Sequence, residues 1–238
     1  MKKKLLILLT CLFNFISCSF DEGGVNSDAT PGSLNRFVIS GQYMYTLDID
    51  HLNIFDITDQ ENPVLRRTIE IKDDLQTLTV YQGSLYIGAG AGLYIININN
   101  PLTASVNASI AHWVSKDPVV VSGKYLYSTT RNNWSGALTI YEDLGSDQFN
   151  ELNRIILEQP YGLGISGDYL FVCEDINGIL VYDISKRDKP IKVQTYTSII
   201  SPRDVIILND IMFCSAKNEF QLVDIKDPRN PRLISIIK

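Results

Sequence analysis

The sequence predicts an all-β fold: a five-bladed β-propeller of four-stranded antiparallel blades. Three observations lead to it. Residue patterns recur with a period of about 42 residues across five copies, turn residues stand at fixed offsets within each copy, and apolar runs of strand length lie between them. Hydrophobic residues make up 45% of the 238 and charged residues 20%, so global disorder and collagen are both excluded.

Two independent anchors define the period. An aromatic closing a short apolar strand stands at Tyr45, Tyr86, Tyr127, Phe171 and Phe213, spaced 41, 41, 44 and 42 residues apart. The pairs Asp56-Ile57, Asn97-Ile98, Glu142-Asp143, Asp183-Ile184 and Asp224-Ile225 follow at spacings of 41, 45, 41 and 41. Two anchors drifting together over five copies are not a chance pattern.

Four strands are read in each copy. The first gives RFVIS, YMYTL, LNIFDI and LRRTIEI; the fourth gives GLGIS, YLFVC, GILVYDI and KVQTYTS; the fifth gives VIIL, IMFCS, FQLVDI and RLISII. Ser40-Gly41, Gln82-Gly83, Ser122-Gly123 and Gly167-Asp168 suit a tight first hairpin, because glycine reaches positive φ without steric cost; Asn209-Asp210 takes that place in the last copy. DITDQENP, DISKRDKP and DIKDPRNP suit the third turn, where Asp caps its own backbone and Pro ends the strand. A four-stranded unit cannot bury both faces alone, so neighbours must stack. A parallel β-helix has shorter rungs without this grammar, and an open two-sheet sandwich is the remaining alternative.

The repeat resembles the LVIVD repeat family of bacterial and archaeal cell-surface proteins. GLYIININNP (Gly92 to Pro101) and GILVYDISKRDKP (Gly178 to Pro190) carry the resemblance best. The third copy departs most: in GALTIYEDLGSDQFN, Gly136 to Asn150, the Asp-Ile turn is expected to become a longer acidic loop. The resemblance implies the propeller and is nearly silent on activity.

The N-terminus reads as an address. Lys2 to Lys4 form a basic n-region, and Leu5 to Ile16 form an apolar run of 12 residues interrupted by Thr10 and Asn14. As a helix it would rise about 18 Å, short of the ~30 Å hydrocarbon core, which suits a secretory signal rather than a span. Phe15-Ile16-Ser17-Cys18 resembles a bacterial lipobox, with Cys18 the lipidated residue and Phe15 a departure from the usual leucine. Cys11 competes but would leave an apolar run of only six residues. Ser19-Phe20-Asp21-Glu22 is similar to the acidic signal of surface lipoproteins in the Bacteroidota phylum. The expected organisation is therefore a signal peptide over 1–17, a lipidated Cys and flexible tether over 18–36, and the propeller over 37–238. The resemblance places the chain at the outer membrane, exposed at the cell surface.

Loss of residues 1–17 removes three lysines and leaves 18 basic against 27 acidic residues, a charge of −9. That field repels nucleic acid and anionic headgroups, so membrane association falls to the acyl chains. Candidate ligand residues come from the loops expected on one face of the ring: Trp113, Trp134, Arg131, Tyr161, Arg203, Asp117 and Glu174. Aromatic platforms beside directional polar groups suit a glycan, peptide or protein partner. The enzymatic alternative is a glycosidase-like hydrolase using Asp117, Glu174 or Asp204 at the channel mouth, which needs paired carboxylates. A third reading, a structural subunit of an outer-membrane complex, requires an apolar patch on the blade edges or bottom.

No cofactor is expected. GAGAG at Gly88 to Gly92 has no following helix and is a hairpin, not a dinucleotide loop. Asp48, Asp50, Asp73 and Asp74 lack calcium-loop spacing and read as turn acids. His51 and His112 lie in different blades. Cys173 and Cys214 are offset by one residue and should point to opposite faces, as packed thiols rather than a disulfide.

Overall fold

A computed structural model describes residues 29–30, 34–111, 118–132, 135–145 and 148–238. Local chemistry sets the strands. The first hairpin of each copy turns through a residue in the left-handed region: Gly41, Gly83, Gly123 and Gly167 have φ between +56° and +76°, and Asn209, where glycine is missing, has φ 53°. The second anchor caps the third turn as an Asx turn. Asp56, Asn97, Asp183 and Asp224 each accept the N–H two residues ahead, at 2.9 to 3.0 Å. The isoleucine of each anchor then donates its N–H to the first hairpin: Ile57 to Gln42, Ile98 to Gly83, Ile184 to Asp168 and Ile225 to Asp210. This bond ties the two turns of every such blade together on one face, the bottom.

Blade 1 comprises β2 (Phe37–Ser40), β3 (Tyr43–Leu47), β4 (His51–Asp56) and β5 (Val64–Glu70). Blade 2 comprises β6 (Leu75–Tyr81), β7 (Ser84–Ala89), β8 (Gly92–Asn97) and β9 (Val106–Ala111). Blade 3 comprises β10 (Val119–Ser122), β11 (Tyr125–Arg131), β12 (Gly136–Gly145) and β13 (Gln148–Leu157). Blade 4 comprises β14 (Pro160–Ser166), β15 (Tyr169–Glu174), β16 (Gly178–Asp183) and β17 (Ile191–Tyr196). Blade 5 comprises β18 (Pro202–Leu208), β19 (Ile211–Ala216), β20 (Phe220–Asp224) and β21 (Arg232–Ile237). Each is an antiparallel sheet in chain order, so the fold is the five-bladed propeller the period implies.

Two segments differ from expectation. The acidic stretch of the third copy is not a loop but the continuation of β12 into β13, paired as far as Gly145↔Gln148. Register shifts at Ile140/Tyr141 and Asp143/Gly145 absorb the extra residues. Within the segment read as a tether, β1 (Ala29–Thr30) pairs with β18, Ala29 opposite Leu208 and Thr30 opposite Ile207. It lies on the inner side of blade 5, where unpaired N–H and C=O groups of the innermost strand would otherwise face the channel.

Apolar clusters join blades 1 and 2, 2 and 3, 3 and 4, and 4 and 5. The anchor aromatic of each blade fills the cluster with the next one. Tyr45, Tyr86, Tyr127 and Phe171 are all buried, whereas Phe213 is 38% exposed. Among the described residues no cluster joins blade 5 to blade 1. The side chains flanking that seam, Phe37, Ile39 and Leu65 on blade 1 and Ile206, Leu208 and Phe220 on blade 5, are exposed.

Cys173 and Cys214 do sit on opposite faces of their blades, yet those faces meet, so both thiols are buried in the one core between blades 4 and 5. Burial pushes the Cys173 thiol well above its ordinary value, and a hydrogen bond with Cys214 adds to the rise.

Candidate functional site

The loops after each second strand and after each fourth strand lie on one face, the top, as the strand order requires. Gly90 N–H donates to Asp74 O, Ser201 N–H to Asp175 O, and Ile71 N–H to Asp50 O, each bond joining one loop of each kind. Asp73 belongs to this bracing. It accepts from Ala91 N–H at 3.0 Å and Tyr94 Oη at 2.9 Å. Among the described residues no group of three or more His, Cys, Asp or Glu side chains could hold a metal.

The inner strands begin at this face, and three of them begin with a bulge. Register shifts fall between Leu75 and Thr77 in β6, Pro160 and Leu163 in β14, and Pro202 and Asp204 in β18. A bulge re-aims the extra side chain, here Gln76, Tyr161 and Arg203. In the repeat these are equivalent: each stands ten residues before its anchor aromatic. Gly162 follows Tyr161 because a Cβ there would come within 2.1 Å of Asp204 Oδ1 and 2.8 Å of Arg203 O.

Three of the candidate residues come together. The Arg131 Cζ lies 3.6 Å from the centroid of the Tyr161 ring and the Arg203 Cζ lies 3.9 Å from it. Two guanidinium groups that close to one centroid must occupy opposite faces, so the ring is sandwiched between cations. Arg131 also donates to Pro160 O at 3.4 Å, Thr129 Oγ1 donates to Tyr161 O at 2.5 Å, and Arg203 stands 3.8 Å from Asp175. Burial draws the Arg131 pKa below its ordinary value; Tyr161 opposes the shift and the charge of Arg203 adds to it.

Beside the stack is a cavity of about 210 Å³ lined by Leu34, Arg36, Gln76, Thr77, Pro118, Arg131, Pro160 and Tyr161. Arg36 is fixed there by donating to Leu75 O at 3.0 Å and Leu47 O at 3.4 Å. Leu34 N–H donates to Asp204 Oδ2 at 3.0 Å, which holds Leu34 at the mouth. Arg36 and Gln76 were not among the sequence candidates. Aligning the repeats on the aromatic and reading ten residues back would have found Gln76.

Glu174 goes elsewhere. It is 2% exposed, its Oε1 accepts the N–H groups of Glu158 (2.7 Å) and Gln159 (2.8 Å), and its Oε2 is buried without a hydrogen-bond partner among the described residues. Burial pushes its carboxyl up, against the pull of those two N–H groups. It lines a groove of about 480 Å³ between the outer parts of blades 3 and 4, with Ile156, Ile176, Lys192 and Thr195. The described carboxylates of the hydrolase reading are thus engaged by backbone groups, Glu174 at Glu158 and Gln159 and Asp204 at Leu34. Trp113, Trp134, Asp117 and Cys18 lie outside the described residues.

Residues 31–70 and 162–198 match the LVIVD repeat. These two segments carry the LVIVD repeat. The matched segments cover blade 1 and nearly all of blade 4, whose third turns both keep the Asp-Ile pair, Asp56-Ile57 and Asp183-Ile184, as does that of blade 5 at Asp224-Ile225. No curated protein matches the chain. Solved structures similar in fold include a functionally unknown protein from Desulfotomaculum acetoxidans, at 13% identity and TM-score 0.68, covering 83% of this chain and 66% of that one. A protein from Lactobacillus plantarum aligns at 14% identity and TM-score 0.67, over 82% and 67%. The periplasmic gluconolactonase of Pseudomonas aeruginosa aligns at 11% and 0.63, over 83% and 67%. A computationally designed protein aligns at 13% and 0.60, over 84% of this chain and 60% of its own. The chain therefore spans about two thirds or less of these proteins, and at such identities the likeness is one of fold.

Proposed function

We propose that the protein is a lipid-anchored, surface-exposed propeller that binds a glycan, peptide or protein partner at the top of its channel. The observation that carries this reading is the Arg131–Tyr161–Arg203 stack beside a cavity bounded by Leu34 and Arg36. The ring, covered on both faces, holds two guanidinium groups in place, and fixed directional donors of that kind are what recognition of a small polar group needs. The course of β1 supports an orientation. Ala29 lies opposite Leu208, at the end of β18 remote from the mouth, so β1 begins at the bottom face. Residues 18–28 reach at most about 40 Å when extended. A lipid on Cys18 would hold the bottom toward the membrane and leave the mouth facing outward.

The test is an array of glycans and peptides probed with the chain from Asp21 onward and with its Tyr161→Ala variant. Loss of the signals in the variant is expected; equal binding by both would overturn the mouth as the site. For the anchor, Cys18→Ser is expected to release the protein from membranes. It should also abolish labelling of intact cells by a membrane-impermeant reagent.

One observation favours a second reading, a subunit of an outer-membrane complex. The apolar side chains flanking the seam between blades 5 and 1 are left exposed, as a lateral partner would require. In a mild detergent extract the wild-type chain would then sediment as part of a larger complex and the Phe213→Ser chain alone. Identical sedimentation of the two would remove this reading.

A further inference from the structure

The electrostatics of the mouth deepen the binding proposal and rest on it. The full chain has net charge −6, yet three guanidinium groups gather at one end of its channel: Arg36, Arg131 and Arg203. Three carboxylates among the described residues stand close by, each already engaged: Asp175 at 3.8 Å from Arg203, Asp204 bonded to Leu34 N–H, and Asp74 accepting from the Gln76 amide. Arg36 and Arg131 both line the cavity, and their planes are held by backbone carbonyls at Leu75, Leu47 and Pro160, so little side-chain freedom remains to be lost on binding. A guanidinium has five N–H donors, and these carbonyl bonds engage only some of them.

We propose that the mouth takes a carboxylate. Guanidinium forks match its planar, two-oxygen geometry. A single negative charge suits a site flanked by Asp74, Asp175 and Asp204, which would repel a phosphate dianion. The rest of the lining fits a small polar organic acid: Leu34, Pro118 and Pro160 supply apolar wall, and Gln76, its amide nitrogen donated to Asp74, presents an amide oxygen that can accept from a ligand hydroxyl or N–H. At about 210 Å³ the cavity has the volume of roughly seven waters, enough for one sugar-acid unit or one C-terminal residue.

The test is calorimetric titration of the purified full chain with glucuronate, with N-acetylalanine as a C-terminal mimic, with glucose as a neutral control and with inorganic phosphate. Binding of one or both carboxylates is expected, weakening as salt is raised, with glucose and phosphate silent. The responding carboxylate tells a sugar acid from a peptide terminus. Arg131→Gln should weaken that binding by about tenfold or more, and Arg131→Lys, which keeps charge without the fork, by less. Glucose or phosphate binding as well as the carboxylates, or no carboxylate binding at all, would overturn the carboxylate assignment. The mouth itself would survive that result if Tyr161→Ala still abolished array signals. Carboxylate binding unchanged in Arg131→Gln and in Tyr161→Ala would overturn the mouth as well.

Discussion

Phe171 and Phe213 occupy one register position in consecutive blades, and truncating them should have unequal consequences. Phe171 pairs with Val181 across β16 and Phe213 with Leu222 across β20, each on the side facing onward around the ring. Phe171 is 0% exposed inside the core between blades 4 and 5. Phe213 has no following blade against it and is 38% exposed. Phe171→Ala removes the transfer free energy of a full side chain and leaves an enclosed cavity, about 3–5 kcal/mol. Phe213→Ala loses only part of the transfer free energy and leaves no cavity that water cannot fill, about 1–2 kcal/mol. For a domain of this size each kcal/mol moves Tm by about 2–4 °C. The expected drops are therefore about 6–20 °C for Phe171→Ala and about 2–8 °C for Phe213→Ala. Urea unfolding with an unchanged m-value is the supporting assay. Equal losses at the two positions would refute the reasoning, because they would mean that blade 1 packs over Phe213 as blade 5 packs over Phe171.

Glu174→Ala should cost about 1–3 kcal/mol, because it strands the N–H groups of Glu158 and Gln159. Glu174→Gln keeps an oxygen there and should be nearly neutral; since the folded carboxyl titrates above its unfolded value, wild-type stability is greatest below about pH 4 for this group and falls as pH rises through the folded pKa, a slope the Gln variant should lack. Tyr45, Tyr86, Tyr127 and Tyr182 are pushed up to about 12 by burial, so stability is complete below pH 10 and lost above it, and phenolate absorbance should rise together with unfolding. Cys173 and Cys214 should resist a thiol reagent in the native state and react once denaturant unfolds the blade 4–5 core, as an absorbance assay would show.

What the sequence made legible is local and repeated. Gly41, Gly83, Gly123 and Gly167 mark turns because only a positive φ closes a two-residue hairpin. Asp56, Asp183 and Asp224 mark the third turn because their carboxylates cap it two residues on. Both signals depend on neighbours in the chain, so five blades followed from spacing alone. Features set across the ring were not legible. Ala29–Thr30 has no strand signature and is ordered by the exposed edge of β18. The acidic run after Tyr141 reads as a loop until β13 is there to pair with it. Arg131, Tyr161 and Arg203 could be placed on one face, but their stack depends on bulges in β14 and β18. Glu174 shares the loop face in sequence and is turned away from the mouth by the backbone of Glu158 and Gln159, a contact between blades 3 and 4.

The most direct measurement is a crystal structure of the chain grown with the ligand recovered from the array. Ligand density between Arg36 and Arg131, against the Tyr161 edge, is the expected result. Density on the exposed side of Phe213, or in the groove at Glu174, with the mouth left to solvent, would contradict it.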